Sequence, residues 1–129
     1  MLQETQMVKA REAARRAQES MYDGLCSVVE YRAVTDKNTK ITRHREVTVL
    51  EDQSCRLSFE KKNTAVQTDT AATVSQGVRL FISPDIRINS GSKVIVTQNG
   101  HSYEYKASGE PAVYATHQEI ELELFKEWT

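Results

Sequence analysis

Asn99-Gly100 constrains this chain more than any other pair of residues. Both tolerate the positive φ of a type I′ turn, and they stand between two alternating runs, the strongest short-range signal for a β-hairpin. Before the turn, Val94 and Val96 fall on one face and Lys93, Ile95 and Thr97 on the other. After it, Tyr103, Tyr105 and Ala107 alternate with Ser102, Glu104 and Lys106. Further on, the segment His117–Trp128 sets Ile120, Leu122 and Leu124 against Glu119, Glu121 and Glu123. A period of two held this long describes half-buried strands, so Phe81–Trp128 reads as a small antiparallel sheet.

The same alternation extends upstream. Leu25–Val34 reads as a strand with Leu25, Ser27, Val29, Tyr31 and Ala33 on one side. A strand over Glu46–Leu50 follows the polar, turn-rich surface segment Thr35–Arg43, and Ser54–Glu60 points Cys55, Leu57 and Phe59 inward. Val78–Ser83 continues the sheet until Pro84, and Ile86 and Ile88 restart the alternation before Ser90-Gly91. Ser108-Gly109-Glu110-Pro111 is a second turn cluster. In a chain of 129 residues this predicts one mainly β domain. Its six to eight short, mostly antiparallel strands over 25–129 form a small barrel or sandwich behind one N-terminal helix within 1–22.

That helix is read from Glu4 to Ser20, a stretch without Gly or Pro that stops before Asp23-Gly24. Met7, Ala10, Ala14, Ala17 and Met21 make a narrow apolar stripe. Burying so little area, at about 25 cal/mol per Å², cannot hold an isolated helix together. The helix is therefore expected to pack on the sheet or on another subunit. Lys9, Arg11, Arg15 and Arg16 occupy much of the remaining surface. They form either a solvated face, with Glu12–Arg16 as a pair one turn apart, or a docking surface for an acidic partner or nucleic acid.

Lys61–Gly77 changes character: small polar residues, scattered Ala and Val, no aromatic. A loop of this length inside a compact domain is usually functional or disordered. The candidate working residues are Lys61, Lys62, Asn63, Thr64, Ala65, Val66, Gln67, Thr68, Asp69, Thr70, Ala71, Ala72, Thr73 and Val74. Their Thr and Val content permits extended pairing with a neighbour.

Catalytic patterns are missing from the sequence. His44, His101 and His117 lie far apart and share no motif with a nucleophile, and there is no GxSxG, HExxH, P-loop or GxGxxG. Glu119, Glu121 and Glu123 repeat at strand spacing and are expected to face solvent or cross-strand cations such as Lys93 and Lys106 or an arginine of another subunit. Cys26 and Cys55 sit in strand-like contexts without a CxxC or Cys/His grouping, so they read as small buried hydrophobes of a reduced compartment. No enzyme, cofactor or metal is expected. With 17 basic and 18 acidic residues the net charge is −1, unlike a protein that coats DNA, although local charge near DNA remains compatible. No run approaches a signal peptide or a membrane span.

Leu80–Phe125 resembles the head-completion (head-closure, or stopper) proteins of long-tailed bacteriophages and prophages. The matching pieces are LFISPDIRINSGSKVIVTQNG, YKASGEPAVY and THQEIELELF, preceded in order by VVEYRAV and QSCRLSFE. SGEPAVYATHQEIELEL is the most specific piece, and within it stand Ser108, Gly109, Pro111, Tyr114, His117, Gln118 and Glu119. The resemblance implies a β-barrel subunit of the virion neck, made in the host bacterial cytoplasm. It would assemble as a ring, commonly a dodecamer, below the portal and adaptor ring and above the tail proteins. In such proteins an inserted loop lines the channel and retains the packaged DNA; Lys61–Gly77 occupies the corresponding interval. Two other readings stay open: another neck or tail-completion component such as an adaptor or tail terminator, and a small ligand- or nucleic-acid-binding barrel. The latter would need exposed aromatics over a basic groove, whereas Tyr103 and Tyr105 share a face read as core.

Overall fold

The computed structural model describes residues 2–63 and 74–128. Helix α1 (Leu2–Glu19) is followed by β1 (Gly24–Thr35), β2 (Thr42–Asn63), β3 (Val74–Ile82), β4 (Lys93–Gln98), β5 (His101–Val113) and β6 (Gln118–Leu124). Every strand pairing is antiparallel, and the order β1-β2-β3-β6-β5-β4 closes through a β1–β4 ladder. Closure removes the free edges an open sheet would expose. The fold is therefore mainly β with one N-terminal helix among the described residues, as expected, and of the two architectures the alternation allows it is the barrel rather than the sandwich.

The hairpin at the centre forms as its sequence requires. Asn99 and Gly100 have φ of 53° and 78°, and Gln98 faces His101 across the turn. Inward positions of the wall supply the core: Cys26, Cys55, Leu80, Ile82, Val94 and Val96 have 0% exposure, joined by Val28, Leu57, Tyr105, Ala107, Ile120 and Leu122. Each fully buried Val, Leu or Ile contributes about 1.5–3 kcal/mol, and aliphatic side chains dominate.

Several local expectations are corrected. The strands read over Glu46–Leu50 and Ser54–Glu60 are parts of one strand, β2, and the interruption between them is absorbed at Asp52, whose φ is 48°. Opposite it, the β1 register shifts twice between Cys26 and Val29. Cys26 and Val28 therefore point inward, Val29 is also buried, and Leu25 is exposed. Ile86 and Ile88 do not start a strand: Pro84-Asp85 turns, Ile86 N–H donates to Ser83 O at 3.2 Å, and Ile88 plugs the core from a loop. Ser108–Pro111 is a bulge rather than a turn, since pairing passes from Ser108↔Glu121 to Ala112↔Glu119 within a continuous β5. Gly109, with φ of 70°, supplies the left-handed residue such a bulge favours. The chain reverses later, where Tyr114 N–H donates to His117 O at 2.8 Å. Phe59 and Leu124 are exposed rather than inward, because Phe59 lies at the rim where β2 and β3 leave the barrel and Leu124 at the end of β6.

Candidate assembly surfaces

β2 and β3 outrun the barrel. The β3–β6 ladder covers only Val78–Ile82, yet β2 and β3 stay paired through Glu60↔Gly77, Lys61↔Gln76, Lys62↔Ser75 and Asn63↔Val74. Lys61, Lys62, Asn63 and Val74, expected in a loop, are therefore strand residues of a two-stranded ribbon. A ladder needs only backbone pairing and β-tolerant residues such as Val and Thr, not the large apolar side chains whose scarcity marked the segment as loop. The remaining candidates, Thr64, Ala65, Val66, Gln67, Thr68, Asp69, Thr70, Ala71, Ala72 and Thr73, lie outside the described residues. At the ribbon root Phe59 packs on Tyr103 with ring centroids 6.0 Å apart, and Tyr103 stacks on Tyr105 at 5.9 Å.

On α1 the docking candidates separate. Lys9, Arg11 and Arg16 are exposed. Arg15 instead ties the helix to the loop after β3: its Nη2 lies 2.7 Å from Asp85 Oδ2 and donates to Ser83 Oγ. Arg15 Nε lies 3.4 Å from Glu19 Oε1. The hydrogen bond to Asp85 is the main reason that the guanidinium holds its proton still more firmly than usual. The apolar stripe does not pack on the sheet. Met7 and Met21 are 53% and 66% exposed, and Ala10, Ala14 and Ala17 are exposed as well.

The segment that carries the resemblance holds the same loop from the barrel side. Gln118 is buried and its Nε2 donates to Ser83 O at 2.7 Å and to Ile86 O, fastening the β3–β4 loop to β6. Ser108 Oγ donates to Glu121 O at 3.2 Å beside the bulge, and Pro111 follows within β5. Tyr114 stacks on His117 with centroids 4.9 Å apart, and His117 Nε2 lies 3.0 Å from Glu119 Oε2. These residues shape a wall; they do not converge on a reactive atom. Arg79 bridges the glutamate stripe, 3.4 Å from Glu119 and 4.0 Å from Glu121, while Glu123 stands opposite Lys106. One expected partner is thus present, Lys93 is engaged elsewhere, and the arginine comes from the same chain.

At the other end of β2 a second ribbon extends that sequence reasoning missed. The β1–β4 ladder ends at Val29↔Lys93, but β1 and β2 remain paired from Glu30↔Val47 to Thr35↔Thr42. The C-terminal segment braces its root. Trp128 packs on Tyr31 at 5.3 Å and on Phe125 at 5.0 Å, and its Nε1–H donates to Glu46 Oε1 at 3.2 Å. Nearly buried Lys93 donates to the same oxygen at 3.0 Å and lies 4.6 Å from the Phe125 ring centroid. The hydrogen bond from Lys93, then that from Trp128, holds the Glu46 carboxyl below its ordinary range. Its residues are scattered over 31–128, so no local motif announces the cluster.

No family model and no curated protein matches the chain. Among solved structures it is similar to the phage-like element PBSX protein xkdH from Bacillus subtilis, at 14% identity and a TM-score of 0.46, over 76% of this chain and 90% of that one.

Proposed function

We propose that the chain is a structural protein of a phage head-tail connector that docks below the portal or adaptor ring, closes the DNA channel of the filled head and offers the tail its platform. The reading rests on the resemblance of Leu80–Phe125 and on one observation in the fold. The β2–β3 ladder continues past the barrel wall, and among the described residues no third strand pairs with Glu60–Asn63 or Val74–Gly77. The ribbon's unpaired edge groups are available to the same ribbon of a neighbouring copy. In a ring, such ribbons would meet at the axis and narrow the passage, a mechanical task without turnover. The exposed α1 stripe and Lys9, Arg11 and Arg16 are the second docking surface, toward a neighbouring copy or the ring above.

The test is removal of residues 64–73 in particles assembled from otherwise complete components. Heads that package DNA and then lose it support the reading. Heads that retain DNA normally refute the gating role, and a subunit located by electron microscopy in the tail tube rather than the neck refutes the placement.

A further inference from the structure

The chain as a whole carries −1, yet between Arg32 and Arg45 five cations stand against a single acid, Asp36. Register sorts them. Arg32 lies directly opposite Arg45, and Val34 opposite Arg43, so these four share one face of the β1–β2 ribbon. Like charges directly opposite each other destabilise an antiparallel pair. Arg32 is offset by Glu30, with Nη2 2.6 Å from Oε1, and Glu30 is held further by Asn89 Nδ2–H at 3.0 Å. Arg43, Arg45, Lys37 and Lys40 have no carboxylate within ion-pair distance among the described residues. Lys37, Arg43 and Arg45 line an open cleft of about 550 Å³ together with Val34 and half-exposed Ile41.

We propose that the β1–β2 ribbon binds the phosphate backbone of double-stranded DNA without sequence preference, through Arg43 and Arg45 on its face and Lys37 and Lys40 at its tip. A two-stranded ribbon fits the major groove, which is about 12 Å wide. The planar guanidinium fork matches phosphate oxygens. Arg43 and Arg45 are about 7 Å apart along their strand, and a duplex with one charge per about 1.7 Å of axis meets that spacing at any position. The acidic stripe of a second copy is a poorer occupant, because Arg79 and Lys106 already face it. The Trp128–Lys93–Glu46 cluster fixes the ribbon root, which limits the ordering cost of contact. The inference is independent of channel closure, since the face would bind duplex whether or not the β2–β3 ribbon gates anything.

Fluorescence anisotropy of a labelled duplex of about 20 base pairs, titrated with the full chain, tests it. Binding is expected at 50 mM salt and to weaken about 150-fold at 200 mM if all four cations meet phosphates. The double variant R43Q/R45Q is expected to lower the slope of log K against log salt by about 2 while keeping its circular dichroism and melting temperature. R11Q/R16Q on α1 is expected to leave the slope unchanged. No binding at 50 mM salt and about 100 µM protein, where non-specific DNA binders are saturating, overturns the proposal, as does an unchanged slope in R43Q/R45Q. Self-association by light scattering that R43Q/R45Q abolishes, with no DNA binding, would assign the face to a second copy instead.

Discussion

Gln98 shows how single side chains complete this barrel. β1 begins at Gly24, which is flanked by Cys55 and Gln98, so Leu57 lies past the point where β1 can pair with it. The Gln98 amide fills the gap: its Oε1 accepts from Leu57 N–H at 2.8 Å and its Nε2 approaches Leu57 O at 3.4 Å. We expect Gln98→Leu to strand both buried backbone groups and lower stability by about 1–3 kcal/mol, seen as a lower denaturation midpoint with an unchanged slope. Gly24 is part of the same seam, since a Cβ there would meet Cys55 O and Gln98 Oε1, both at 3.1 Å. Gly24→Ala is expected to cost about 1 kcal/mol through this crowding, and a neutral result would mean that the seam yields. Cys26 and Cys55 are free and fully buried. Hydrogen bonding to Cys55, then burial, pushes the Cys26 thiol up. A thiol-disulfide reagent is therefore expected to label the folded chain no faster than it unfolds; rapid labelling would contradict this burial.

Among the elements, the ribbons and the helix differ in how they are secured. The β1–β2 ribbon depends on a cluster containing the single tryptophan of the chain, so its state can be read by fluorescence. The Glu46 carboxyl is depressed from its ordinary 4.5. Its contribution is therefore complete above that value and is lost as pH falls through the lower folded value. Trp128 emission is expected to hold steady from pH 8 down to about 5 and to shift below about 4.5, before global unfolding seen by circular dichroism. In Lys93→Met the pH dependence should weaken. Helix α1 meets the barrel through Arg15. Removing residues 2–14 is expected to change the melting temperature by only a few degrees, because no core residue is lost. A collapse of the barrel in that truncation would overturn the view of α1 as an uncovered docking element.

For the whole molecule, the readable parts of the sequence were those governed by local rules. Val94, Val96, Tyr105 and Ile120 alternate into the core, and Asn99-Gly100 turns where its φ preferences demand. What escaped was governed by partners distant in sequence. Lys93 looked like an outward charge, but Glu46, Phe125 and Trp128 gather around it. Ser108–Pro111 looked like a turn because Gly and Pro punctuate turns and bulges alike, and only pairing with β6 distinguishes them. Net charge concealed Arg43 and Arg45, and only the β1–β2 register places Arg32 on their face. β2 joins these regions, since its 22 residues begin in one ribbon, cross the barrel wall and end in the other. Ladder bonds lie perpendicular to the strands, so tension along β2 loads them in shear, many at once, rather than peeling them singly. The two ribbons are thus the ends of one tether, bent at Asp52 where the backbone turns to positive φ, and a pull on either end is felt at the other.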